Sequence, residues 1–259
     1  MSSRLARSEA AVRLRSRIDH PEAILLSLLL AGLAALGWVE SPLWLAVAIG
    51  LQLVIGGLGG VAIIGPIRPE LGFARYATLA VAAVTVTLLG RMLVGVAGLP
   101  MALPAAILLW GVLRLEMRAG RTGTPGILLD PLALVGIVFA GTAGLSWLLP
   151  RDAWPPIVLL VAVVVAVPAL RSAEGRGRSG VQAVGQALLH VVAVAQTTTA
   201  VALLDLPGVV GAAVVALAFH AWGGAAEALD RGASGRSVAV EFGSLAVLGV
   251  AVALLLHLR

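Results

Sequence analysis

Long apolar stretches, each close to the length of a membrane-spanning helix, follow one another along this 259-residue chain with short polar interruptions. A hydrocarbon core of about 30 Å needs about 20 helical residues. The pattern predicts an all-α, polytopic transmembrane helical bundle with nine spans, at 21–39, 42–65, 73–97, 100–116, 126–149, 154–170, 180–203, 207–228 and 237–257. The fourth and sixth predicted spans are short, so one of them could be partly re-entrant.

The composition is typical of a membrane protein and excludes several kinds of functional site. Only 12% of the residues are charged and 60% are hydrophobic, whereas a soluble domain carries about a quarter charged residues. The chain has no cysteine, which excludes disulfides, thiolate catalysis, cysteine-ligated zinc and iron–sulfur clusters.

The arginines are divided unequally between the two sides of this nine-span topology. Fifteen precede the first span or lie in alternate connections, and only Arg91, Arg151 and Arg259 fall on the other side. The positive-inside rule then predicts a cytoplasmic N-terminus and an outside C-terminus. Orientation also accounts for the net charge of +5, so we expect no nucleic-acid partner.

Two domains follow from this topology, a basic cytoplasmic tail at 1–20 and a single transmembrane helical domain at 21–259. The first apolar stretch has full-span length and lacks a cleavage site before Glu40, so we expect a retained helix rather than a signal peptide. The predicted location is a bacterial-type cytoplasmic (inner) membrane, with the lipid bilayer as the surroundings.

The second span ends in a glycine-rich stretch, "IGGLGGVAIIGPIRPELGFAR". Gly56 and Gly60 form a small-xxx-small pair, which lets helix backbones approach closely in membranes. Helix packing is the first interpretation. The alternative is a ligand pressed against bare backbone, with Arg68 and Arg75 receiving an anionic group.

The seventh span carries a polar stripe within "SGVQAVGQALLHVVAVAQTTTAV". Gln182, Gln186 and His190 fall on one helix face at about 100° per residue. On the eighth span His220 and Glu227 also share a face, and both histidines are predicted about 10–15 Å above the cytoplasmic boundary. Ionisable groups in a membrane usually face a bundle interior or a wet cavity. We therefore expect the two stripes to point inward and toward each other.

Further polar residues lie toward the same side, including Asp130, Glu116, Glu241 and Arg75. They predict a polar pocket that opens to the cytoplasm, although such groups can also simply hydrogen-bond helices together. The predicted substrate-binding residues are Gln182, Gln186, His190, His220, Glu227, Asp130, Arg68 and Arg75. No catalytic residue and no metal ligand is predicted.

These features favour a transporter, carrier or channel component for a small or amphipathic solute, which could be anionic. One alternative is a lipid- or isoprenoid-modifying enzyme at the cytoplasmic leaflet. Another is a non-catalytic subunit of a larger membrane complex, in which His190 and His220 could ligate haem b. The expected partners are a small-molecule or lipid ligand and other membrane proteins.

The helix number and topology are similar to those of the UbiA-type prenyltransferases. That family has aspartate-rich motifs after its second and sixth spans, which hold magnesium diphosphate. The corresponding stretches here, "GPIRPELG" and "LRSAEGRGRSG", offer only Glu70 and Glu174. Because magnesium–diphosphate chemistry needs several convergent carboxylates, this departure leaves the family's activity without support.

Overall fold

The computed structural model describes residues 21–39, 41–65, 72–97, 99–122, 129–150, 152–206 and 208–257. All regular structure within these ranges is helical. A 3-10 turn covers Leu99–Met101, and the described α-helices are α1 Pro21–Gly37, α2 Pro42–Ile64, α3 Ala74–Ala97, α4 Ala102–Thr122, α5 Leu129–Leu148, α6 Trp154–Gly175, α7 Gly180–Leu203, α8 Gly208–Asp230 and α9 Gly235–His257.

Seven of these helices, α2, α3 and α5 to α9, are long and apolar enough to cross a membrane. The chain is therefore a helical multi-pass membrane protein. Helix α1 is apolar but has only 17 residues. Helices α4 and α6 extend to Thr122 and Gly175, beyond the predicted ends at 116 and 170. The added residues include charged ones, such as Arg118 on α4 and Arg171 and Glu174 on α6, which lower the local hydropathy without ending a helix.

Helix α3 occupies the centre of the bundle. It packs against α1, α2, α4, α5 and α6, and it is the most enclosed of the seven apolar helices. Helix α8 packs against α5, α7 and α9, whereas α9 has α8 as its principal neighbour and is the least enclosed. The described chain thus forms one connected bundle, with α9 at its edge.

Glycines allow the closest helix contacts, as the sequence predicted for Gly56 and Gly60. A Cβ added at Gly56 would lie 2.8 Å from the Cα of Ala80, and one at Gly60 would lie 2.9 Å from the carbonyl oxygen of Tyr76. Both positions therefore hold α2 directly against the backbone of α3. The helix-packing interpretation of this glycine pair is confirmed.

A buried glutamine, which the sequence analysis did not single out, links α1, α2 and α3. The Nε2 of Gln52 donates to the carbonyl oxygen of Leu30 at 3.1 Å and lies 2.8 Å from the Oγ1 of Thr87, which in turn lies 2.9 Å from Gln52 Oε1. Its side chain is fully buried. Since lipid offers no hydrogen bonds to a glutamine, these contacts make Gln52 a structural link between helices.

Candidate functional site

The end of the bundle where α4, α6 and α8 finish contains a buried ion pair. The Nε of Arg171 on α6 donates to both carboxylate oxygens of Glu116 on α4, at 2.9 and 3.1 Å. Arg75, also buried, donates from Nη2 to the carbonyl oxygen of Glu116 at 3.0 Å. Together these contacts fix the ends of α4 and α6 to the beginning of α3.

Glu174, one turn beyond Arg171, caps the beginning of α3. Its Oε1 accepts the backbone N–H of Phe73 at 2.8 Å, and its Oε2 accepts that of Ala74 at 3.1 Å. A carboxylate at a helix N-terminus satisfies free N–H groups and opposes the helix dipole. Gly72 permits this approach, because a Cβ there would lie 2.1 Å from the Glu174 carboxyl carbon and its φ is +81°. Glu174 therefore has a structural role.

Arg176, directly after α6, connects three helices. Its Nη1 donates to the Oγ of Ser172 at 2.8 Å and its Nη2 to the Oε1 of Gln186 at 3.1 Å. Its Nε lies 3.5 Å from Asp230 at the end of α8, which also accepts from Arg178. Burial lowers the pKa of the Arg176 guanidinium, and the carboxylates of Asp230 and Glu227 raise it. Because arginine stays protonated in proteins, this group acts as a fixed cation.

A cavity of about 790 Å³ lies beside these charged groups, between α3, α4, α5, α6 and α8. One wall is largely apolar and comes from α4 and the beginning of α5. The other wall is polar and comes from the ends of α6 and α8. The residues that line it include Leu115, Glu116, Leu132, Ala133, Val135, Arg171, Ser172, Arg176, Phe219, His220, Glu227, Asp230 and Arg231.

His220 and Glu227 both line the polar wall and are exposed. His220 makes no hydrogen bond to another described residue. Glu227 has one ion-pair contact among the described residues, with Arg231 at 3.8 Å. The two predicted residues of α8 are thus brought to one surface, where both can meet a bound molecule.

His190 lies in a different environment from His220. Its ring is buried and stacks on Phe219 of α8, with ring centroids 4.3 Å apart. Its Nε2 lies 3.0 Å from the carbonyl oxygen of Phe219, so Nε2 carries the proton in this contact, since a carbonyl oxygen only accepts. Its Nδ1 is buried without a hydrogen-bond partner among the described residues. His190 therefore joins α7 to α8 behind the polar wall.

The other predicted site residues are spread over several locations. Gln186 is held by Arg176, Gln182 is exposed on α7, and Arg75 is buried beside the cavity wall. Asp130 is the second residue of α5, but its side chain lies outside the described part of the structure. Arg68 lies outside the described residues altogether. The structure thus groups His220 with Glu227 and groups Gln186 with Arg176.

Sequence reasoning did not identify Arg176 and Asp230 as a unit. They are 54 positions apart. Arg176 follows one apolar stretch and Asp230 ends another, and charged residues are common at both kinds of position. The only available signal was the group of three arginines in "LRSAEGRGRSG", which the positive-inside rule also explains.

Comparisons of this chain with protein families, with curated proteins and with solved structures find no match. The residues themselves therefore carry the functional argument. Among those that the structure describes, no group of three or more histidine, aspartate or glutamate side chains is arranged to hold a metal ion. What the cavity does offer is space, an apolar wall and paired charges, a combination suited to an amphipathic molecule.

Proposed function

We propose that this protein is a carrier or channel component that takes an amphipathic solute into the cavity between α4, α5, α6 and α8. In this proposal the chain crosses a bacterial-type cytoplasmic membrane nine times. The N-terminal tail at 1–20 and the arginine-rich end of the bundle face the cytoplasm, so the cavity opens on that side. The arginine distribution, 15 against 3, supports this orientation.

One observation carries the proposal, namely the cavity of about 790 Å³ with one apolar and one polar wall. Sites for small organic ligands measure about 300–1,000 Å³ and combine apolar lining with a few polar groups. Here His220, Glu227 and Arg231 supply polar groups without a close buried partner. Exposed polar groups at a cavity surface can exchange their present contacts for contacts with a solute at little cost.

His190 acts in this proposal as a positioning residue. It holds the carbonyl oxygen and the ring of Phe219, and Phe219 lines the cavity one residue before His220. Removal of the imidazole would free this part of α8 to rotate or shift. We therefore expect His190→Ala to weaken solute binding through α8 rather than through direct contact.

Uptake into proteoliposomes tests the proposal. The probes are taurocholate and a fluorescent lysophospholipid, two amphipathic molecules with different head groups. Ala133→Trp places an indole in the cavity, and Gly136→Trp is the matched control, since nothing lies within 4 Å of a Cβ built at Gly136. We expect uptake of at least one probe that Ala133→Trp abolishes and Gly136→Trp preserves. Uptake unaffected by Ala133→Trp, or no uptake of either probe by the wild type, contradicts the proposal.

The orientation is tested separately, and the absence of cysteine makes the chain suitable for it. Single cysteines are introduced at Ser234, between α8 and α9, and at Asp152, between α5 and α6; both positions are exposed. In intact cells a membrane-impermeant maleimide should label the cysteine at 152 and not the one at 234. The reverse pattern would place the cavity on the outer side.

A further inference from the structure

Two ion pairs at the cavity differ in how firmly they are held. Glu116 and Arg171 lie 2.9 Å apart with side chains 7% and 10% exposed. Glu227 and Arg231 lie 3.8 Å apart with side chains 57% and 72% exposed. An exposed pair at such a separation contributes little to stability. Glu227 and Arg231 can therefore separate at little cost, and each can bind a charge of opposite sign.

The acidic and basic side chains of the cavity are balanced in number. Among the described residues that line it, three are glutamates or aspartates and three are arginines: Glu116, Asp230, Glu227, Arg171, Arg176 and Arg231. A purely anionic head group on the polar wall would lie near Glu227, and a purely cationic one near Arg231. A head group that carries both charges can place its cation at Glu227 and its anion at Arg231. In this arrangement no two like charges lie side by side.

The apolar wall extends toward the surrounding bilayer. Leu132 lines the cavity and is nevertheless 61% exposed, so the cavity opens at the beginning of α5. Helix α4 packs against α1 and α3 and only slightly against α5, which leaves space between α4 and α5. A leucine exposed on a membrane-spanning helix faces acyl chains, and a chain at this position can continue along Leu115 and Val135.

We propose that the cavity binds a zwitterionic phospholipid of the adjacent leaflet, with a primary ammonium group at Glu227 and its phosphate at Arg231. His220 lies on the same face of α8 and supplies a ring nitrogen for a further hydrogen bond. The acyl chain lies against the wall formed by α4 and α5. This inference rests on the proposed function, since it names the class of solute that the cavity takes.

Native mass spectrometry of the purified, delipidated protein tests this inference. The protein is given equal amounts of phosphatidylethanolamine and phosphatidylglycerol with identical acyl chains. We expect the wild type to retain phosphatidylethanolamine about tenfold more than phosphatidylglycerol, because only the ammonium group of phosphatidylethanolamine can donate a charge-assisted hydrogen bond to Glu227. Equal retention of the two lipids by the wild type would overturn the inference.

Substitutions assign the two charges. Glu227→Gln should abolish the preference for phosphatidylethanolamine, and Arg231→Gln should reduce retention of both lipids. Glu241→Gln and Arg236→Gln are matched controls, because both residues are exposed on α9 and neither lines the cavity. A preference that persists in Glu227→Gln, or an equal loss in Glu241→Gln, would contradict the assigned contacts.

Two further measurements distinguish a bound phospholipid from a soluble zwitterion and the lipid assignment from the carrier proposal. Glycerophosphoethanolamine, which has the head group without acyl chains, should not displace the bound lipid; displacement at equal concentration would make the ligand a soluble zwitterion. If the wild type shows no lipid preference while Ala133→Trp still blocks taurocholate uptake, the carrier proposal stands and the lipid assignment fails. If Ala133→Trp changes neither lipid retention nor uptake, both fail.

Discussion

Two polar regions of this bundle differ mainly in the space around them. At Gln52 both ends of the side-chain amide contact Thr87, the Nε2 also donates to Leu30, and the whole side chain is buried. On the polar wall of the cavity His220 and Glu227 face about 790 Å³ of space, and their one ion-pair contact among the described residues is that of Glu227 with Arg231, at 3.8 Å. Polarity inside a membrane protein therefore does not by itself mark a site. A polar group with unoccupied space beside it is the better candidate.

The largest expected loss of stability follows from breaking the buried ion pair between Glu116 and Arg171, which bounds the cavity. Glu116→Leu leaves the guanidinium of Arg171 buried without its carboxylate, which should lower the free energy of unfolding by about 3–5 kcal/mol. Unfolding in a denaturing-detergent titration measures this. The double substitution Glu116→Leu with Arg171→Leu should recover most of the loss, because the buried guanidinium is removed together with the carboxylate that accepts from its Nε. Glu241→Leu, at an exposed position on α9, should change stability little.

A smaller loss is expected at the contact between α3 and α5. A Cβ added at Gly144 would lie 2.5 Å from the carbonyl carbon of Leu88, so Gly144→Ala must push backbone away and should cost about 1–3 kcal/mol. Gly136→Ala on the same helix meets nothing within 4 Å and should be neutral or stabilise by up to about 1 kcal/mol. Equal unfolding midpoints for the two variants would contradict the close packing.

Loss of the cap at the beginning of α3 should lower the free energy of unfolding by less than Gly144→Ala does. Glu174→Ala removes the acceptor of two backbone N–H groups and should lower stability by about 0.5–2 kcal/mol. Hydrogen exchange should accelerate at the amides of Phe73 and Ala74 and remain unchanged in the middle of α3. A uniform acceleration along α3 would show that Glu174 stabilises the bundle as a whole rather than this end.

The sequence predicted the helices better than it predicted the site. The bounds of α2 and α7, Pro42–Ile64 and Gly180–Leu203, match the predicted 42–65 and 180–203, because hydropathy, proline and glycine are local signals. Periodicity also grouped His220 with Glu227 correctly on one face. It could not determine which neighbour that face meets. Phe219, about 100° away from His220 around the helix, is the residue that contacts His190, because the positions of α5 and α7 set the rotation of α8.

The charged contacts could not be predicted for the same reason. Glu174 caps a helix that begins 100 positions earlier, and Arg171 pairs with Glu116 across 55 positions. A single sequence gives the cost of burying each charge. It contains no signal for which of several oppositely charged residues will be adjacent, since that depends on how the helices are arranged.

Two substitutions, Gln52→Leu and His220→Leu, sharpen the comparison between the two polar regions. Gln52→Leu should lower the free energy of unfolding by only about 0.6 kcal/mol for each hydrogen bond lost, the average within membranes, and Thr87 can still donate to the carbonyl oxygen of Ala83. It should leave lipid retention unchanged. His220→Leu should do the opposite, with unaltered unfolding and reduced retention, because an exposed side chain stabilises little and the cavity loses a polar contact. If both variants reduced stability and neither altered binding, His220 would be a structural residue like Gln52.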